Sequence, residues 1–149
     1  MDRIALGDLV ARYALHADRR EIDAMADLFT EDAVLVLPDA PDELDPVRVF
    51  TGRSEIAATL SVLDGIPLTF HALVGQVFGA GPEPGTAIGE IACVAHHVTS
   101  REDGKVSDLV WHCRYTDTYR ADGRTWRIAR REQRIDSIET RPVRRWRGE

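Results

Sequence analysis

Two side chains, a carboxylate and an imidazole, are the first candidates for chemistry in this sequence: Asp18 and His71. His71 lies within residues 68–78, an apolar segment whose composition is typical of a strand. Because side chains alternate along a strand, Thr69, His71 and Leu73 share one face. A carboxylate bonded to one imidazole nitrogen fixes the tautomer and raises the basicity of the other nitrogen. Such a pair could remove a proton from carbon or oxygen near neutral pH.

These residues also allow other interpretations. A histidine in a strand is often a core or surface group, and Asp18 could simply cap the helix that follows it. A third interpretation is a metal site formed by Asp18, His71 and His97, a two-histidine, one-carboxylate ligand set. We expect neither a metal nor a cofactor, because the pairing with Asp18 would occupy one ring nitrogen of His71.

Strand alternation also separates two pairs of adjacent polar residues. His96 and His97 lie within the strand-like residues 86–99 and must point to opposite faces. The odd-numbered face is small and apolar, so we expect His97 to face a pocket. By the same argument Arg131 lies on the less charged face of its segment and Arg130 on the charged face. In a pocket, the guanidinium of Arg131 could bind a carboxylate, a carbonyl or a leaving group. The alternative is that Arg131 forms a salt bridge at the surface.

Aromatic and apolar residues are candidates for the walls of the same pocket. Tyr13 lies on the apolar face of the first helical segment, and its hydroxyl needs a partner that a pocket can provide. Trp111 and Tyr115 share one strand face and are predicted wall residues, with an aromatic core as the alternative. Phe70 and Leu73, beside His71 in the sequence, are further predicted substrate contacts.

The elements that must position these residues are helices followed by strands. Helices are predicted at 3–16, at 21–29 and, with Ser54 as a plausible cap, at 52–63. A buried strand at 33–37 precedes an acidic, proline-containing loop at 38–47, and a short strand is predicted at 47–50. Four long strands with short connections indicate an antiparallel meander: 68–78, 86–99, 107–120 and 125–135.

Element order and composition predict a single α+β domain over residues 1–149, with the helices packed on one face of a curved sheet. The chain contains no apolar run near the ~20 residues of a membrane span and begins without a signal-peptide pattern, so we expect a cytoplasmic protein with no membrane partner. The arginines after residue 100 are interleaved with acidic residues, which disfavours nucleic acid as a partner. Cys93 and Cys113 are expected to be buried, reduced thiols.

Four segments together have the order and spacing of a known family. The first is LVARYALHADRREIDAMADLF at 9–29, followed by TEDAV. The others are TFHALVG at 69–75, GEIACVAHHV at 89–98 and YTDTYRADGRTWRIARR at 115–131. In this order they resemble the SnoaL-like branch of the nuclear transport factor 2-like superfamily, over roughly residues 3–136. The resemblance implies a cone-shaped α+β barrel, with helices in the concavity of a strongly curved, mainly antiparallel sheet, and a homo-oligomer, either dimer or trimer.

The resemblance also implies site residues. Scytalone dehydratase, bile-acid dehydratase and hexachlorocyclohexane dehydrochlorinase are similar proteins of that superfamily, and they share an Asp–His pair that abstracts a proton while a leaving group departs. By position, their aspartate falls on Asp18 and their histidine on His71. Further catalytic positions of these relatives fall on Tyr13, His97 and Arg131.

Departures from the relatives narrow the function. Ala17 and Tyr115 replace a tyrosine and an asparagine of scytalone dehydratase, and Tyr13 replaces a lysine of the dehydrochlorinase, which disfavours both reactions. The predicted function is a cofactor-independent lyase, dehydratase-like, or an isomerase that acts on a small cyclic or polycyclic organic substrate by Asp–His general-base catalysis. The alternative is a non-catalytic small-molecule-binding or assembly module that resembles the small subunit of ring-hydroxylating dioxygenases.

Overall fold

Four long strands in the second half of the chain form the antiparallel meander that the sequence predicts. In the computed structural model, which describes residues 1–148, these strands are β3 (Leu68–Ala80), β4 (Thr86–Ser100), β5 (Val106–Asp122) and β6 (Thr125–Pro142). Consecutive strands pair antiparallel. Along β4 every odd-numbered residue from 87 to 97 is buried, as the apolar alternation of the sequence predicts.

Two strands from the first half of the chain complete the sheet. They are β1 (Phe29–Asp39) and β2 (Glu43–Thr51), and the strand order is β2-β1-β6-β5-β4-β3. Strand β1 pairs antiparallel with β2 but parallel with β6, so the sheet is mixed. The sheet is curved but not closed, because β2 and β3 remain its two edges.

The acidic segment that was expected to be a loop is mostly a β-hairpin. Strand β1 continues to Asp39 and β2 begins at Glu43, so only residues 40–42 form the turn. Pro38 is tolerated because the pairing register shifts between Leu37 and Asp39, where a missing backbone donor costs little. The loop prediction was wrong because acidic residues suggested a solvated turn, whereas they occupy the exposed face of an amphipathic edge strand.

Two helices precede the first two strands and a third follows them: α1 (Arg3–Arg19), α2 (Ile22–Asp27) and α3 (Arg53–Leu60), the last continued by a 3₁₀ turn at Ser61–Gly65. Helix α1 is longer than predicted, and Asp18 therefore lies in its last turn rather than beyond it. It ends where Arg20 adopts a left-handed backbone conformation with φ of 62°. No glycine or proline marks that end, so the sequence pattern placed the helix end too early.

The start of α3 also differs from the expectation. Gly52 is the residue before the helix, with φ of 86°, and Ser54 lies inside the first turn. The predicted cap at Ser54 is therefore wrong. The Glu55 carboxylate instead accepts a hydrogen bond from the backbone N–H of Thr51 at 2.7 Å, which ties the helix start to the end of β2.

The core lies between α1 and the concave face of the sheet. Side chains of α1 such as Leu6 and Val10 are fully buried, and they pack with Phe29 and with the inward residues of β4. Cys93 and Cys113 are opposite each other on β4 and β5 as buried, free thiols. None of the helices within residues 1–148 is long and apolar enough to cross a membrane.

The core leaves no room for a side chain at Gly89, where a Cβ atom would lie 2.8 Å from the Tyr119 hydroxyl and 3.1 Å from the Phe78 ring. We expect Gly89→Ala to lower the free energy of unfolding by about 1–3 kcal/mol, because the buried rings must move. Gly75→Ala is the matched control, since nothing lies within 4 Å of a Cβ there. Urea denaturation measures both, and equal stabilities of the two variants would contradict the packing described.

Candidate functional site

Asp18 and His71 meet at the junction of α1 and β3. The Asp18 Oδ1 atom lies 2.7 Å from His71 Nδ1 and accepts a further hydrogen bond from the Thr69 hydroxyl at 3.0 Å. The backbone N–H of His71 also donates to the carboxylate, at 3.0 Å to Oδ2. One carboxylate therefore holds both the ring and the backbone of the same histidine.

The sequence places Asp18 here because α1 ends immediately afterwards. The Arg20 guanidinium donates to the Thr69 hydroxyl at 2.8 Å and to the backbone carbonyls of Ala17 and Ile66. These bonds fasten the helix end to β3 and leave the Thr69 hydrogen directed at Asp18. Burial by itself would raise the pKa of Asp18, but the hydrogen bonds from the His71 ring and backbone outweigh it and hold that pKa below its usual value.

A cavity of about 510 Å³ adjoins this pair. Its walls are mainly apolar and come from α1, α2, the β1–β2 hairpin, the end of α3 and the meander strands. The lining residues that the chemistry concerns are Tyr13, Arg48, His71, His97, Trp111, Tyr115 and Gln133. Asp18 stands behind His71. With Nδ1 held by Asp18, the His71 Nε2 atom is the nitrogen left for a ligand, and it makes no hydrogen bond to residues 1–148.

His97 is the second histidine of the cavity. Its Nδ1 lies 2.8 Å from the backbone carbonyl of Leu109, which can only accept, so Nδ1 carries the hydrogen and Nε2 is an acceptor. Burial lowers the pKa of His97 below the usual histidine value, which keeps the ring neutral. The ring lies 6.2 Å from that of His71 and 4.7 Å from that of Trp111. His96 points to the opposite face, where it pairs with Asp108 at 2.6 Å.

Arg131 is completely buried and does not line the cavity within residues 1–148. Its guanidinium binds the Asp117 carboxylate through two hydrogen bonds, of 2.8 and 2.6 Å. Its carbon Cζ lies 4.2 Å from the ring centre of Tyr13 and 4.3 Å from that of Tyr115, and these two rings meet edge to face, so the cation contacts two adjacent aromatic rings. Burial by itself would lower the pKa of Arg131, but the charge of Asp117 raises it above its usual value, and the group stays charged.

The tyrosines around this ion pair are neutral. Burial raises the pKa of Tyr13 and of Tyr115 above the usual tyrosine value. Both side chains line the cavity, so they present neutral phenols that can donate a hydrogen bond there. Tyr119 is on the far side of the ion pair and donates to Asp117 at 2.6 Å.

Two predicted wall residues do not line the cavity. Phe70 is 62% exposed on the outer face of β3, because its neighbour His71 points inward and alternation sends Phe70 outward. Leu73 packs against the core without lining the cavity.

Sequence reasoning missed other features of the cavity. Arg48 and Gln133 line it, and the Nε1 atom of Trp111 is buried with no hydrogen-bond partner within residues 1–148. No pattern in the sequence marked Arg48, because Val47, Arg48 and Val49 are consecutive exposed residues of an edge strand. Within the described chain, no group of three or more His, Cys, Asp or Glu side chains is arranged to hold a metal ion.

Comparison with known proteins identifies the family. The model of the SnoaL-like domain matches residues 1–132. The chain belongs to the SnoaL-like domain family. No curated protein sequence matches this SnoaL-like domain.

Solved structures share its nuclear transport factor 2-like fold. A provisionally named scytalone dehydratase from Novosphingobium aromaticivorans is 23% identical, with a TM-score of 0.77 over 94% of this chain and 87% of that chain. A hexachlorocyclohexane dehydrochlorinase is 14% identical, with a TM-score of 0.74 over 95% and 88% of the two chains. At these identities the likeness describes the fold.

The buried ion pair gives a test of stability. Asp117→Asn leaves the enclosed guanidinium without its counter-charge, so we expect the free energy of unfolding to fall by about 3–5 kcal/mol. The double variant Asp117→Leu/Arg131→Met removes both charges and should be less destabilised than Asp117→Asn. Urea denaturation of the SnoaL-like domain measures both. A single variant as stable as the wild type would contradict the pairing.

The lowered pKa of His97 predicts a pH dependence of stability. The unfolded chain binds a proton at this histidine near the ordinary value of about 6.5, whereas the folded chain binds it only at lower pH. Stability from the neutral ring is therefore complete above that value and is lost as the pH falls towards the folded pKa. We expect the free energy of unfolding to fall less from about pH 7 to 5 in His97→Gln than in the wild type. Parallel profiles would disprove this assignment.

Proposed function

We propose that this chain, acting as a single domain, is a cofactor-independent lyase of the dehydratase type or an isomerase, with His71 as its general base. The observation that carries the proposal is the one-sided attachment of His71. Asp18 holds Nδ1 at 2.7 Å and the backbone N–H at 3.0 Å, while the ring lines the cavity. A histidine fixed in this way exposes a basic Nε2 to a ligand.

In the proposed reaction, Nε2 of His71 takes a proton from a carbon next to a carbonyl or another activating group. The Asp18 carboxylate, whose pKa is lowered, balances the charge of the imidazolium that forms. In an elimination the same proton then passes to the departing hydroxyl, which leaves as water. In an isomerisation it returns to a different carbon. Both reactions balance without an external oxidant or reductant.

Two further cavity residues have complementary roles. Tyr13 is neutral because burial raises its pKa, so it can donate a hydrogen bond to a carbonyl oxygen or a leaving hydroxyl. His97 can accept a hydrogen bond from a substrate hydroxyl at Nε2, because Leu109 occupies its Nδ1. A donor and an acceptor at separate points would orient a substrate that has both types of group.

Arg131 has an indirect role in this proposal. Its two bonds to Asp117 and its contacts with the rings of Tyr13 and Tyr115 make it a positioning residue for those rings. The positive charge of Arg131 would also stabilise negative charge that develops on a substrate oxygen when that oxygen accepts a hydrogen bond from a tyrosine hydroxyl. Charge removal at Arg131 would therefore act through Tyr13 and Tyr115.

The cavity favours a cyclic or polycyclic substrate. Its volume of about 510 Å³ and its aliphatic and aromatic walls suit a compact apolar body with a few polar groups. The alternative of a non-catalytic assembly module is less consistent with these observations, because side chains do not fill the space beside His71. The cavity therefore supports catalysis or small-molecule binding over a purely structural role.

The general base can be tested without knowledge of the natural substrate. The probe is 5-nitrobenzisoxazole, an apolar bicyclic carbon acid. Removal of its ring C–H proton breaks the N–O bond and releases a coloured cyanonitrophenolate. We expect turnover by the wild type that His71→Ala lowers about 10²–10⁴-fold, the usual contribution of a general base. Asp18→Asn should lower it by a smaller factor, since the ring remains but loses its counter-charge.

The matched control is His96→Ala. His96 also pairs with an aspartate, Asp108 at 2.6 Å, but on the opposite face of the same sheet. This variant should keep the wild-type rate, and circular dichroism should show that all three variants remain folded. Equal turnover by the wild type and His71→Ala would refute His71 as the base. Equal losses in His71→Ala and His96→Ala would point to a general effect of histidine removal instead.

A further inference from the structure

Arg48 is the only Lys, Arg, Asp or Glu side chain among the described residues that line the cavity. It lies on the edge strand β2, opposite Leu37 of β1, and is exposed to solvent. Because Arg48 is exposed to solvent and also lines the cavity, it lies at the open side of the cavity. The cation therefore stands where a bound molecule would meet water.

The Arg48 guanidinium has no carboxylate within ion-pair distance and donates no hydrogen bond within residues 1–148. Other arginines of the described chain are paired, such as Arg120 with Asp32 at 2.6 Å. The cation of Arg48 lies 5.3 Å from the ring centre of Phe50, two residues along the strand. This contact orients the guanidinium while it leaves the N–H donors free.

Strand alternation explains why the acidic neighbours of Arg48 do not neutralise it. Leu44, Arg48 and Phe50 are on one face of β2, and Leu44 and Phe50 pack against the core. Glu43 and Asp45 are on the opposite, exposed face. Arg48 is therefore an unpaired cation within residues 1–148, although its strand is acidic and the whole chain has a net charge of −6.

We propose that Arg48 selects substrates that bear a carboxylate, and that this carboxylate sits at the open side of the cavity while the apolar ring system extends towards His71. The inference rests on the proposed function, because it names the substrate class of that same site. A planar carboxylate matches one guanidinium through two parallel hydrogen bonds. A phosphate would call for more donors, and the described lining offers no second side-chain cation.

Binding of three unreactive probes tests the substrate class by titration calorimetry: 2-naphthoate, its neutral isostere 2-naphthamide, and 2-naphthyl phosphate. We expect the wild type to bind the carboxylate about tenfold more tightly than the amide, as a charge-assisted hydrogen-bonded pair implies. In Arg48→Gln this ratio should fall to about one, because only the carboxylate loses affinity. Arg48→Lys should give an intermediate ratio, since it keeps the charge but not the planar pair of donors.

The matched control is Arg124→Gln, which removes one positive charge from the exposed β5–β6 turn, away from the cavity. It should leave the ratio at its wild-type value. The inference is overturned if carboxylate and amide bind equally to the wild type, if the preference survives in Arg48→Gln, or if neither probe binds saturably. Tighter binding of the phosphate overturns the carboxylate class. None of these outcomes involves turnover, so they are independent of the His71 test.

Discussion

The buried ion pair of Asp117 and Arg131 is the constraint around which the rest of the cone is arranged. A guanidinium that is 1% exposed is tolerable only if its charge is matched and its faces are covered. Asp117 on the neighbouring strand supplies two charge-assisted bonds, and the rings of Tyr13 and Tyr115 both pack against the guanidinium. These demands fix α1 against β5 and β6. They also determine where the two tyrosines enter the cavity, so the wall of the site follows from the stability of the core.

Pairing of a histidine with a carboxylate does not by itself define a site in this protein. His16, His96 and His112 also lie beside carboxylates, at 2.5, 2.6 and 3.5 Å. What distinguishes His71 is that its carboxylate is on the far side of the ring from an unfilled apolar cavity. At His71 the same type of hydrogen bond holds Nδ1 while the ring lines the cavity. The role proposed for His71 therefore depends on which face of the sheet receives its ring, and around His71 that face is set by the odd-numbered residues of β3 and β4.

Sequence patterns predicted the meander well because its strands are long and each has one buried face. Their alternation put His97 and Arg131 on the inner face and His96 on the outer face, as the structure has them. Where the burial signal is weak, prediction failed. The first half of the edge strand β2 is acidic and largely exposed, and its composition predicts a loop, whereas the short strand predicted at 47–50 does lie within β2. The end of α1 carries no glycine, and the helix was predicted too short. Phe70 is predicted as a substrate contact because it is next to His71 in the chain, but alternation sends the two side chains to opposite faces.

The family, the α+β class and the inward faces of the long strands could all be predicted from the sequence, because they depend on local periodicity and on residue order along the chain. Three features could be seen only in the folded chain. Asp18 reaches His71 across 53 residues, Arg131 contacts Asp117 and two rings instead of lining the cavity, and Arg48 has no ion-pair partner within residues 1–148. The physical reason is common to all three. Whether a charge is matched, covered or free depends on what distant segments place around it in space, and no pattern within one segment contains that information.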